Sequence, residues 1–203
     1  MIDPRPLTLE GYGVRLEPLE RGHTVALVAA AGDGALDDVL YVAAGDLVQG
    51  REQAYIDAAL DGEAAGHMLS WVVRELTTDA IVGSTRYHDI VRQIDRVEIG
   101  FTFYARRWQR THVNSACKLL LLTHAFETLG CQVVAFRVDG LNRTSQQAVA
   151  AIGAKKDGAL RHFQARRDGS ARDVHVYSIL ASEWPAVKAH LEARVSRLRQ
   201  SAV

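Results

Sequence analysis

The feature that most constrains the fold is a strand, a short basic segment and a helix in direct succession between Val97 and Gly130. The strand is indicated by apolar residues at every second position, the period of a pleated chain: Val97, Ile99, Phe101 and Phe103. From Val113 apolar residues recur instead every three or four positions, as on one face of a helix, and Gly130 is placed to end it. These residues therefore predict a β-α unit with a short connection.

The basic segment, with the sequence RRWQRTH, places arginines just before the start of this helix. The first N–H groups of a helix have no partner within it, and the helix dipole favours a negative charge there. The simplest ligand for this position is a phosphate or a pyrophosphate.

Composition limits the other possibilities. The chain has 203 residues, enough for one sizeable core, and we expect a single domain spanning 1–203. Its formal net charge is zero, which gives no reason to expect nucleic acid, and no apolar run approaches the ~20 residues of a membrane span. The two cysteines, Cys117 and Cys131, are expected to be buried thiols in the cytoplasm. The histidines show no metal-ligand spacing, so no metal site is expected.

The same patterns, read along the chain, alternate strands with helices. Strands are predicted at 14–19, 67–75, 80–88, 132–139, 159–165 and 174–180, and helices at 21–31, 51–62, 142–152 and 183–199. Residues 37–48 are expected to be irregular with short helical turns, and 89–96 to form a polar connection. The fold class is α/β (α+β), with a central, mostly antiparallel mixed sheet and helices on both faces. Strands 97–104 and 132–139 should be parallel, because a helix connects them.

At this point the sequence resembles the GCN5-related N-acetyltransferase (GNAT) superfamily, of the type that acetylates ribosomal-protein N-termini. The resemblance runs from Val14 to Leu180. Its centre is Arg106-Arg107-Trp108-Gln109-Arg110-Thr111, which is similar to the family's acetyl-CoA motif, Arg/Gln-x-x-Gly-x-Gly/Ala. Asn142 and Ser145 match the family's Asn-x-x-Ser, and segments 151–158 and 168–173 match later family segments.

The resemblance implies acetyl-CoA as the acetyl donor, without a metal. It assigns backbone contacts with the pantetheine arm to Phe103 and Tyr104, and a side-chain contact to Asn142. The implied phosphate-binding residues are Arg106, Gln109, Arg110, Thr111, His112, Val113 and Asn114. Gln109 and Thr111 replace the two motif glycines, where a side chain could crowd the pyrophosphate. Because residues entering a helix have negative φ, the backbone does not demand glycine there, and the Thr111 hydroxyl could donate to a phosphate.

Acetyl transfer to an amine requires a base for the amine and a proton for the leaving thiolate. Glu98 is the candidate base, acting through water, and the alternative is an outward-facing residue on an alternating strand. Ser145 and Tyr104 are candidate acids. For Asn142 a helix cap, and for Ser145 an ordinary helix-surface position, are the alternatives.

The expected function is acetyl-CoA-dependent N-acetyl transfer to a primary amine, on a protein N-terminus or a small molecule, by direct attack on the thioester. The alternative is a non-catalytic acyl-CoA-binding or interaction module on the same fold. The acceptor is expected between residues 33–50, strand 68–74 and hairpin 159–175. Segment 33–50 is acidic, because it contains Asp33, Asp37, Asp38 and Asp46. A homodimer is expected through helix 183–199 and hairpin 159–180.

Overall fold

The structure, a computed structural model, describes residues 1–33, 46–47, 50–166 and 168–200. Most of the segment expected to be irregular, 37–48, therefore lies outside the described residues, as do Asp37 and Asp38. The strands are β1 (Leu9–Gly11), β2 (Val14–Pro18), β3 (Leu69–Glu75), β4 (Ala80–Val91), β5 (Arg96–Tyr104), β6 (Val133–Asp139), β7 (Lys155–Ala165) and β8 (Ala171–Leu180). The α-helices are α1 (Thr24–Ala31), α2 (Glu52–Ala64), α3 (His112–Thr123), α4 (Arg143–Ala151) and α5 (Trp184–Gln200).

All eight strands of the described residues form one sheet, in the order β1-β2-β3-β4-β5-β6-β8-β7. Every neighbouring pair is antiparallel except β5 and β6, which are parallel. The prediction of a mostly antiparallel mixed sheet with one parallel pair is confirmed. Part of the expected polar connection 89–96 is strand, because β4 continues to Val91.

Helices cover both faces of the sheet, as expected. On one face, which we call the α3 face, the core contains residues of α3, α4 and α5, among them Leu119, Ile152 and Leu191. On the opposite face, the α2 face, a smaller core joins α1 and α2 to the sheet through residues such as Leu27 and Tyr55. Gly130 follows α3 and its π-helical extension with φ +74°, the left-handed conformation that ends a helix.

The expected alternation along β5 is interrupted at Phe101, which has φ +50°. Ser84 pairs with Phe103, whereas Arg86 pairs with Gly100, so β5 carries one residue more than β4 and forms a β-bulge. Ile99 and Tyr104 consequently face the α3 core, and Phe103 faces the α2 core. The prediction of unbroken alternation through Phe103 was wrong, because a bulge exchanges the two faces of a strand.

Candidate active site

Strands β5 and β6 pair over only three positions before they separate. The paired residues are Arg96 with Val133, Val97 with Val134, and Glu98 with Ala135. Beyond Glu98 the two strands run on separately, to Tyr104 and Asp139. The inner edges of the separated strands carry backbone N–H and C=O groups that could hydrogen bond to an extended ligand between them.

Helix α3 begins just beyond the far end of β5, with Thr111 as its N-cap. The Thr111 hydroxyl donates to the Trp108 carbonyl at 2.7 Å and accepts from the Val113 N–H at 3.3 Å. Its proton is therefore engaged within the protein, so the hydroxyl is not oriented to donate to a phosphate as expected. The cap satisfies one of the first N–H groups of α3 and fixes the direction in which the helix starts.

The two residues at the glycine positions have ordinary backbone conformations. Gln109 has φ −70° and Thr111 has φ −94°, so neither position requires glycine on backbone grounds. The left-handed residue is Arg110 between them, with φ +62°. The Gln109 amide donates to the Tyr104 carbonyl at 3.1 Å, which turns this side chain back toward the end of β5. The side chain of Arg110 is exposed.

The other phosphate-site residues differ in what they can offer. The backbone N–H of Arg106 donates to the carboxylate of Asp33, which ties the end of α1 to the basic segment. The imidazole of His112 lies near Gly13 in the turn after β1, where burial lowers its pKa, so only its backbone faces the start of the helix. Val113 is buried, and Asn114, in the first turn of α3, is half-buried.

Glu98 is buried, with 1% of its surface exposed, and its carboxylate contacts basic groups on both neighbouring strands. Arg137 Nε donates to it at 2.8 Å and an Arg96 nitrogen at 3.3 Å, and His88 Nε2 lies 3.4 Å from it. Burial raises the pKa of Glu98, and the bond from Arg137 opposes this effect. The carboxylate thus lies at the point where β5 and β6 separate, and it does not face outward.

His88 adds an imidazole that the sequence did not single out. Its ring packs edge-on against Phe101 and occupies the space above Gly100, where a Cβ would come within 2.3 Å of Nε2. Burial and the nearby Arg137 lower the pKa of His88 to about 4, so the ring is neutral at pH 7. A neutral imidazole beside Glu98 can accept or relay a proton.

The structure does not favour Tyr104 as an acid. Its side chain belongs to the α3 core, and burial raises its pKa well above the ordinary tyrosine value. The bulge at Phe101 is the reason, because it turns this side chain toward α3. The backbone of Tyr104 remains at the end of β5, where the predicted contact with the pantetheine arm requires only main-chain groups.

Asn142 and Ser145 lie together at the start of α4. The Asn142 side-chain oxygen accepts from the Ser145 N–H at 2.9 Å, the geometry of an N-cap. This is the structural alternative considered for Asn142, and it occupies the oxygen of the amide. Ser145 is half-buried in the first turn. Both residues follow closely after β6 and lie beyond its separated end.

A buried lysine, Lys118, was missed at the sequence level. Its ammonium donates to the Thr102 hydroxyl at 3.0 Å, which is 2.8 Å from the Thr85 hydroxyl. Burial lowers the pKa of Lys118 to about 8. Lys118 lies one turn along α3 from Asn114, on the same side of the helix. The sequence feature that could have identified it is a lysine within an apolar run, four residues after Asn114.

Among the described residues, no group of three or more His, Cys, Asp or Glu side chains is arranged to hold a metal ion. None of their helices is long and apolar enough to cross a membrane.

Comparison with known proteins identifies the class. Residues 14–155 match the model of the acetyltransferase (GNAT) domain. A presumed acetyltransferase from T. thermophilus is 31% identical, with a TM-score of 0.78 and coverage of 94% of this chain and 98% of that one. The uncharacterized N-acetyltransferase p20 of Bacillus licheniformis is 26% identical over 68% of this chain and 76% of its own. Mycobacterium smegmatis RimJ, solved with CoA-disulfide, shares the fold at 18% identity and a TM-score of 0.77, covering 93% and 95% of the two chains.

The chain belongs to the GNAT acetyltransferase family, and it is an acyltransferase. The alternative of a non-catalytic module rested on the replaced glycines. The negative φ of Gln109 and Thr111 removes the conformational part of that argument.

Proposed function

We propose that this protein transfers the acetyl group of acetyl-CoA to a primary amine. The observation that carries the proposal is the separation of β5 from β6 beyond Glu98, directly in front of the N-terminus of α3. An extended arm fits between two open strand edges, and a pyrophosphate fits at a helix start. Acetyl-CoA has both parts in one molecule.

The basic segment supports the phosphate end of this proposal. Arg106 and Arg110 are exposed at the end of β5, and α3 contributes backbone N–H groups from His112 onward. Asn114 lies in the first turn of the same helix. Main-chain groups of Phe103 and Tyr104 on β5, together with Asn142, would hold the pantetheine arm.

The chemistry is direct attack of the amine on the thioester. The amine nitrogen forms a bond to the acetyl carbon, the carbon–sulfur bond breaks, and the sulfur leaves as a thiolate. We assign Glu98 the role of base, taking the amine proton through water, because its carboxylate lies where the strands separate. Ser145 is the remaining candidate to donate a proton to the thiolate.

The acceptor class and the setting also belong to the proposal. A protein N-terminus and a small-molecule amine both satisfy the chemistry. We place the reaction in the cytoplasm, a setting supported by the two buried free thiols of Cys117 and Cys131. We further propose a homodimer, for which the exposed side chains of the β7–β8 hairpin are the support.

The test is acetyl-CoA turnover with a panel of amines, measured by release of the CoA thiol. Peptides with free N-termini, polyamines and amino acids should be compared with the same peptides blocked at the N-terminus. Thiol release that requires a free amine is the expected result. Tight acetyl-CoA binding by calorimetry without release above the amine-free rate, for every amine, would contradict the proposal.

A further inference from the structure

Arg86 on β4 is a buried cation without a carboxylate partner among the described residues. Only 2% of its surface is exposed. Its guanidinium lies between the rings of Tyr55, at 4.3 Å, and Phe101, at 4.8 Å. One terminal nitrogen donates to the Met68 sulfur, a weak acceptor, at 3.4 Å, and the other makes a long contact of 3.4 Å to the Tyr55 carbonyl. Among the described residues, Nε has no acceptor. A buried charge normally has a charged or strongly hydrogen-bonded partner, because desolvation is costly.

The neighbouring arginines are already neutralised. Arg96 and Arg137 both bond to Glu98 and to Asp89, so these two arginines face two carboxylates. His88 on the same strand as Arg86 is neutral at pH 7, since its pKa is about 4. Within this cluster of described residues, the positive charge of Arg86 is therefore the one left without an anion.

Two further buried donors close to Arg86 have no partner in the part of the chain that the structure describes. They are the hydroxyls of Tyr55, whose ring contacts the guanidinium, and of Ser70, which pairs with Arg86 across β3 and β4. With Arg86 Nε, three buried side-chain donors lack acceptors among the described residues. Unsatisfied buried donors are rare in proteins, and a ligand oxygen is one way to satisfy them.

We propose that Arg86, with Tyr55 and Ser70, binds a carboxylate of the acceptor, so that the acceptor is an amine that also carries a carboxylic acid, such as a free amino acid. The inference rests on the proposed acetyl transfer, and it names the substrate of that site. His88 pairs with Glu98 and Arg86 with Gly100, so Arg86 and Glu98 are diagonal neighbours on the α2 face. Such neighbours are roughly 7–8 Å apart, which suits a small molecule with an amine at Glu98 and an acid at Arg86.

The experiment compares free L-amino acids with their C-terminal amides as acceptors, in wild type, Arg86→Gln and Arg74→Gln. Arg74 on β3 is a matched control, because its partner Glu17 lies on β2, away from the gap between β5 and β6. We expect wild type and Arg74→Gln to prefer the acid by about ten-fold or more in kcat/KM. In Arg86→Gln the preference should disappear, mainly through KM, with acetyl-CoA affinity unchanged. Equal use of acid and amide by wild type, or a preference that survives in Arg86→Gln, would overturn the inference.

Two additions keep the test decisive. Should Arg86→Gln fail to fold, Tyr55→Phe replaces it in the test, because this variant retains the ring beside Arg86 and removes one donor. A reduced preference for the acid is then expected. An unchanged preference contradicts the inference. Should no amine be acetylated, the proposed transfer fails, and calorimetry with the same amino acids and amides tests the anion site alone. Tighter binding of the acid than of the amide by wild type would support that site, and equal binding would refute it.

Discussion

The carboxylate of Glu98 on β5 accepts a hydrogen bond of 2.8 Å from Arg137 Nε on β6, across the point where the two strands separate. The last paired residues are Glu98 and Ala135, and Arg137 lies two residues further along β6. The ion pair therefore spans the start of the gap between β5 and β6. It holds the carboxylate in place, and it opposes the rise in the pKa of Glu98 that burial produces.

Glu98→Gln should lower turnover by roughly 10²–10⁴ and leave acetyl-CoA affinity nearly unchanged. The pKa of Glu98 is raised, so the base is lost on acidification at a pH above the ordinary glutamate value. The wild-type rate should therefore fall on acidification at a pH above the ordinary glutamate value, and this fall should be absent from Glu98→Gln. Glu17→Gln, which removes a carboxylate paired with Arg74, is the control for loss of an ion pair. Turnover of Glu98→Gln within a few-fold of wild type would rule out the role.

Arg106→Ala and Arg110→Ala should each weaken acetyl-CoA binding by about ten-fold or more, because a charge-assisted contact contributes roughly 1.5–3 kcal/mol. The affinity should fall further as salt is raised, since these side chains are exposed. Gln109→Gly should be neutral or improve affinity if the side chain crowds the pyrophosphate. Calorimetry measures all three variants, with the exposed Arg5→Ala as control. An affinity unmoved by both arginine substitutions would place the donor elsewhere.

Lys118→Met should stabilise the protein at pH 7 by roughly 1–3 kcal/mol, because the buried ammonium is costly there. Burial lowers the pKa of Lys118 from 10.5 to about 8. Between these values the unfolded chain binds more protons at Lys118 than the folded one, so this residue adds a rise with pH to the free energy of unfolding. The buried thiols of Cys117 and Cys131, whose pKa values are raised to about 12, add a fall over part of the same range, but wild type and variant share them. Urea denaturation from pH 7 to 10.5 should therefore show the stability advantage of Lys118→Met over wild type shrinking as pH rises, whereas the exposed-site control Lys156→Met should differ from wild type by a nearly constant amount. A constant advantage of Lys118→Met would contradict the assignment.

Gly100→Ala should destabilise the protein by roughly 1–3 kcal/mol, and His88→Ala should relieve most of that cost in the double variant. A Cβ at Gly100 would lie 2.3 Å from His88 Nε2, so removing the ring removes the clash. Gly83→Ala is the contrast, because its Cβ would lie 2.1 Å from the Phe103 carbonyl oxygen, and no side-chain truncation can relieve a clash with backbone. Thermal or urea unfolding gives the free energies of unfolding of Gly100→Ala, His88→Ala, their double variant and Gly83→Ala. Additive effects of Gly100→Ala and His88→Ala would show that the ring does not fill this space.

The homodimer should depend on the β7–β8 hairpin. β7 is an edge strand, and Leu160 and Phe163 on it are 42% and 43% exposed. The expected contribution of the apolar face of α5 does not hold, because Val187, Leu191 and Val195 are buried in the core of the same chain. Light scattering at micromolar concentration should give a dimer mass for wild type and for Val25→Glu, and a monomer mass for Phe163→Glu. A monomer mass for wild type would refute the dimer.

The sequence by itself determined the elements that depend on neighbours along the chain. The change from a period of two to a period near 3.6 located β5 and α3, because each period reflects which side chains share a face of one element. Gly130 marked the end of that helix, since glycine adopts positive φ readily. The basic segment before α3 indicated an anion site, because the arginines and the unpaired N–H groups of the helix start are also neighbours along the chain.

Only the tertiary structure decided features that depend on residues distant in sequence. The bulge at Phe101 arises from the pairing of β5 with β4, and it alone turns Tyr104 into the core. The burial of Glu98 and Lys118 depends on which strands and helices pack around them. Whether Arg86 has an acidic partner is likewise set by the packing of α2 against β4. Burial and ion pairing are properties of the assembled fold, so no periodic pattern in the sequence predicts them.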